Sequence, residues 1–207
     1  LNVSWNALAP DNTMLEVRCR VYAGGDWTGW MRFGKWAPGY PRRSVHTQTD
    51  DGLVFLMGDT VTVAVPGGGT GIQLQVNLSS NDGRVTPAVR LLAAAVRPLS
   101  WERQEGAIIN RRLYLPEYSL AGRDPSFGRD MDLSLVIASL MNRWGEDILP
   151  EEVAYTMLDN ATTGVHNAAY AVAAAACCGY SSWQAWLDLK DLRAQIHDGC
   201  SVGVELE

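Results

Sequence analysis

Metal-ligating side chains are scarce in this chain. Its 207 residues include four cysteines and three histidines. No two of the cysteines, Cys19, Cys177, Cys178 and Cys200, are separated by the two residues that a zinc ribbon needs. The acids Asp124, Asp130 and Asp132 lie close together, but their spacing fits no calcium loop, so a solvated loop and a helix cap are expected. Gly67-Gly68-Gly69 lacks the lysine and helix that turn a glycine-rich loop into a phosphate cradle. No metal and no cofactor is therefore expected. No apolar run reaches the roughly 18 residues of a membrane span. A net charge of −6 and a pI near 5.1 argue against a nucleic-acid partner. The chain opens on Leu1 with no charged-then-apolar leader, as a processed chain or an excerpt would.

Apolar residues make up 47% of the chain, enough for a sizeable core. In the first half they follow a period of two. Val17, Cys19 and Val21 alternate with Glu16, Arg18 and Arg20. Ile72, Leu74, Val76 and Leu78 alternate with Gln73, Gln75, Asn77 and Ser79. Residues 60–65 and 87–96 read as further strands. Gly/Pro/Asp clusters at 23–26, 38–41, 50–52, 66–69 and 81–83 separate the runs. One-sided alternation in short strands predicts an antiparallel β-sandwich of jelly-roll type over residues 1–98. Trp5, Trp27, Trp30 and Trp36 fall in this half. Tryptophans on strands usually fill a core, but Trp27, Trp30 and Trp36 are also candidates for stacking on sugar rings. His46 sits on a probable strand and reads as a surface histidine.

Residues 97–106 are charged and aperiodic, and a second domain is expected from 107 to 207. Its centre is the stretch 129–145, where Leu133, Val136, Ile137, Leu140, Met141 and Trp144 recur at steps of three and four. Asp132 reads as its N-terminal cap and Gly145 as its stop. Pro150-Glu151-Glu152 opens a second helix with Val153, Met157 and Leu158 on its apolar stripe. An alanine-rich helix is expected over 167–178, where Cys177 and Cys178 read as buried structural thiols. Another helix covers 187–198, stopped by Gly199. Residues 201–206 read as the start of a strand whose sheet would lie mainly past residue 207. The fold class is thus α+β.

Taken together, these pieces resemble a bacterial family of papain-like cysteine peptidases, the double-glycine leader peptidases and their secreted relatives with an N-terminal β-sandwich. SWNA at 4–7, WTGWMRFGKW at 27–36 and GDT at 58–60 are similar to the companion sandwich. LYLPEYSL at 113–120 resembles the family's segment ending in Ser-Gln. DLSLVIASLMNRWG at 132–145 resembles its nucleophile helix. GVHNAAYAVAAAACCGY at 164–180 and LDLKDLRAQIHDGCSVGVEL at 187–206 resemble the following helices and strand.

The resemblance puts the nucleophilic cysteine at Asp132 and the oxyanion-steadying glutamine at Leu120. A carboxylate cannot replace a thiolate in acyl transfer, and leucine has no donor. Losing one oxyanion donor alone costs about two to three orders of magnitude. The resemblance therefore implies a catalytically inactive member with a residual cleft at Ser119, Asp132, Leu133, Ser134, His166 and Asn167. That cleft would bind peptide or a cell-wall or glycan component outside the cell or in its envelope. Two alternatives remain: an active secreted peptidase using other residues, and a carbohydrate-binding module led by the tryptophans. Cys177, Cys178 and Cys200 lie near His166 or His197 in sequence, but no motif supplies a partner acid.

Overall fold

The computed structural model describes residues 1–127 and 130–205. Arg129 and Leu206, at the edges of two expected elements, lie outside them. The chain is α+β: the described residues form nine strands followed by four α-helices. Five strands form one sheet, in the order β5 (Val45–Gln48), β6 (Val54–Gly58), β7 (Thr60–Val63), β1 (Asn2–Leu8) and β9 (Ala88–Ala95). In the second sheet β2 (Thr13–Ala23) is central. It pairs on one side with β8 (Gly69–Ser80) and on the other with β3 (Asp26–Trp27) and β4 (Met31–Trp36). The strand pairs in both sheets are antiparallel.

The β2–β8 ladder shows why alternation specifies this arrangement. Val17 opposes Val76, Cys19 opposes Leu74 and Val21 opposes Ile72, while Arg18 opposes Gln75 and Arg20 opposes Gln73. A slip of one residue would turn every apolar side chain to water. The apolar face of β2 joins Val3, Trp5 and Ala7 of β1, Val54 and Leu56 of β6 and Val61 of β7 in one core.

That core continues into the helices. The helix α3 (Ala168–Cys177) packs against β1 and is buried from Ala169 to Ala176. Alanine is what permits this, since a methyl group lets a helix approach a strand closely and costs no side-chain entropy. Its one large residue, Tyr170, inserts between Trp5 and Trp36, with ring centroids 6.2 and 5.5 Å away. Burial pushes the Tyr170 hydroxyl well above the ordinary phenol range. A second tie is polar. The buried Arg42 guanidinium donates to the carbonyls of Ala37, Pro38 and Tyr40 and, across to the helical half, of Tyr155 and Leu158. The buried Asp159 carboxylate accepts from the backbone N–H of Ser44 at 3.0 Å. These bonds satisfy polar groups that would otherwise be costly to bury.

The helix α1 (Asp132–Asn142) is turned differently from the expected orientation. Ser134, Leu135, Ala138 and Met141 are its buried residues, Val136 is exposed and Trp144 is 60% exposed. Small residues at 134 and 138 let this face approach its neighbours, while Val136 and Leu140 lie against Gly203 of the C-terminal segment. The helix α2 (Pro150–Met157) begins at Pro150 as expected, and Glu152 accepts from the Leu149 N–H at 2.7 Å. The helix α4 (Leu189–Asp198) is capped by Asp188 and stopped by Gly199 at φ 93°. Residues 201–205 do not form the strand expected there.

Candidate functional site

The start of α1 is where the resemblance places the chemistry. Met131, fully buried, occupies the N-cap, so Asp132 is the first helical residue rather than the cap. Asp132 is exposed, and its carboxylate accepts from the N–H of Leu133 at 2.9 Å. A negative charge there is stabilised by the helix dipole. The neighbouring Ser134 hydroxyl is fully buried and donates to the Met131 carbonyl at 2.7 Å, which closes off its reactivity. Leu133 is partly buried against the core.

Ser119 and Leu120 lie elsewhere. Ser119 is exposed, and its Oγ accepts from Ala121 N–H within its own turn. Leu120 is also exposed. The segment that carries both is held by Tyr118, whose hydroxyl meets the Asn142 side chain, and by Arg123, which pairs with Glu151 at 3.2 Å. Those partners are at the C-terminal end of α1 and the start of α2. Ten residues of helix, a rise of about 15 Å, separate Asn142 from Asp132. Asn167 is buried and is the N-cap of α3, accepting from Tyr170 N–H at 3.1 Å. His166 beside it is exposed. None of the six expected cleft residues lines either of the two grooves described below.

Three of the four thiols are equally unsuited to attack. All four cysteines are free. Burial pushes Cys19 up to about 12 and Cys177 up to about 11, and also raises Cys178. A reactive thiol requires the opposite shift. Among the described residues no cysteine hydrogen-bonds a histidine, and no cluster of three or more His, Cys, Asp and Glu side chains could hold a metal ion.

The tryptophans divide. Trp36 has no exposed surface and belongs to the aromatic core with Trp5, so it cannot present a face to a sugar. Trp27 and Trp30 instead stand on the outer face of the second sheet. The turn between β3 and β4 is pinned by Thr28, whose N–H donates to the Val21 carbonyl at 2.9 Å and whose hydroxyl accepts from Val21 N–H at 3.0 Å. The Arg20 guanidinium lies over both rings, 5.0 Å from the centroid of Trp27 and 4.9 Å from that of Trp30. Beside them an open groove of about 470 Å³ runs between β4 and β5, lined by Arg18, Trp30, Arg32, Val45, His46 and Thr47 along with Met31. A second groove of about 270 Å³ continues from it past Arg18, Arg32, Lys35, Glu16, Asn77 and Ser79. Sequence reasoning named the two rings but missed the guanidinium that lies over both. The signal was present as arginines on the polar side of an alternating strand.

No curated protein and no solved structure matches the chain. Residues 1–96, the span that holds both sheets, match the family model described as the Peptidase C39 N-terminal domain, a likeness to a C39-type peptidase family that covers the strand-rich half.

Proposed function

We propose that this protein is a catalytically silent relative of C39-type peptidases that binds a ligand rather than cleaving one. One observation carries the reading. Where the resemblance puts a thiol, α1 begins with the exposed carboxylate of Asp132. Leu120, at the position of the oxyanion glutamine, offers no donor. The four thiols present are not activated by a histidine. A papain-like origin of residues 107–207, a boundary after residue 98, and secretion to the cell envelope belong to the same proposal. The absence of helix and strand from 96 to 118 supports that boundary.

The test is to incubate the protein with fluorogenic peptides and a thiol-reactive peptide probe. No turnover is expected. Peptide cleavage that disappears on replacing one cysteine overturns the reading. A companion variant, Asp132→Cys, is expected to react with iodoacetamide at pH 7 faster than Cys178 does. A helix N-terminus lowers a thiol's pKa, whereas burial raises that of Cys178.

A further inference from the structure

We infer that the outer face of the second sheet is a binding surface for an acidic polysaccharide, a linear chain of sugars bearing carboxylates. The surface shares no residue with the start of α1, so the inference stands whether or not the protein is catalytic. The two adjoining grooves carry three cations, Arg18, Arg32 and Lys35, against one carboxylate, Glu16. Arg18 is already engaged with Glu16, and its guanidinium also reaches the Asn77 side-chain oxygen in the orientation that satisfies both groups. The side chains of Arg32 and Lys35 make no hydrogen bond or ion pair among the described residues, and both residues are exposed. Two unneutralised cations thus project from one strand of a protein whose net charge is −6. A guanidinium offers a carboxylate a two-pronged contact.

The groups around these cations select a sugar polymer over other anions. Trp30 is 39% exposed and lines the groove, while Arg20 packs on its ring and fixes it. A fixed flat ring stacks on the apolar face of a pyranose at little entropic cost. From β8, Gln73, Gln75, Asn77 and Ser79 stand in a row at every second residue along the same face. Amides and hydroxyls both donate and accept, which matches ring hydroxyls. The strand repeat sets these groups about 6.6 Å apart, a ladder suited to an extended ligand. Neither groove is enclosed, as a surface that grips a polymer along its length requires.

The experiment measures binding of the full chain to immobilised polygalacturonate, dextran and poly-L-glutamate at 50 and 500 mM NaCl. Polygalacturonate should bind at low salt and weaken at least tenfold at high salt, and neutral dextran should not bind. Arg32→Ala with Lys35→Ala, and separately Trp30→Ala, should each weaken polygalacturonate at least tenfold with unchanged circular dichroism. Poly-L-glutamate binding as tight as polygalacturonate would mean that charge alone, or an acidic peptide, is being read, and overturns the inference. So does polygalacturonate binding that is absent or indifferent to these substitutions. If a variant loses its fold, Arg32→Gln with Lys35→Gln replaces it and is read in the same way.

Discussion

Helices α3 and α4 are each ten residues long and sit in the same half of the chain, yet they do opposite work. The alanine-rich α3 has almost no amphipathic contrast and is buried from Ala169 to Ala176. The strongly amphipathic α4 has no buried residue. It is fastened instead by polar contacts to an irregular segment: Lys190 N–H donates to the Gln104 carbonyl at 3.0 Å, Arg193 reaches the carbonyls of Glu105 and Gly106, and Arg111 donates to the His197 carbonyl. Amphipathicity therefore marks a helix that lies on a surface. The helix that holds the two halves together is apolar and, apart from Tyr170, small, because it must fit against a strand on one side and against α1 and α2 on others.

The most severe way to break α3 is Tyr170→Ala. It removes the ring that fills the space between Trp5 and Trp36. A loss of about 3–5 kcal/mol is expected, read from urea denaturation. The strand and helix signals should still fall in one transition, since both halves share that core. Separate transitions would show that α3 is not the tie.

Overpacking comes next. Ala173→Leu at a fully buried site should cost about 1–3 kcal/mol, whereas Ala194→Leu on the exposed side of α4 should stay within about 0.5 kcal/mol. Equal effects would erase the distinction between the helices.

Cap removal sharpens it further. Asn167→Ala leaves Tyr170 N–H unpaired at the buried start of α3 and should lower global stability by about 1 kcal/mol. Asp188→Ala removes the equivalent 2.8 Å bond of α4. It should raise amide exchange locally in residues 189–192 while leaving the global midpoint nearly unchanged.

A separate effect is expected on pH dependence. Burial raises Cys19 from 9.0 to about 12 and Cys177 from 9.0 to about 11. The folded state thus holds protons that the unfolded state releases above pH 9. The associated stability is complete below pH 9 and is lost as pH rises toward 11 to 12. Thermal midpoints should fall from pH 8.5 to 10.5, and Cys19→Ala should flatten that slope. An unchanged slope would remove Cys19 as a contributor.

The strands were the most legible part of the molecule. The alternation in β2 and β8 named both the elements and their inward faces, since one face met a core and the other met water. The face of α1 was not legible. Val136 and Trp144 are more hydrophobic than Ser134 and Ala138, but close packing favoured the small residues, and hydrophobicity does not report available space. The separation of Leu120 from Asp132 was not legible for a related reason. Sequence similarity could align Leu120 and Asp132 with positions that work together. It could not show that Tyr118 and Arg123 hold the first of these near the far end of α1.

By its own pattern the sequence determined where β2, β7, β8 and β9 lie, which side of β2 is wet, where α2 begins and α4 ends, and that Asp132 brings a carboxylate to the start of α1. These are local matters, set by residues two to four positions apart. Tertiary structure alone decided what covers β1. Ser4 and Asn6 alternate with Val3, Trp5 and Ala7 as if they faced water. Both are buried, because residues 182–184 return across them: Asn6 exchanges two hydrogen bonds with Ser182, and Ser4 Oγ accepts from Gln184 N–H. Partners so distant in sequence leave no periodic trace, and a polar side chain reads the same whether it is satisfied by solvent or by a remote backbone.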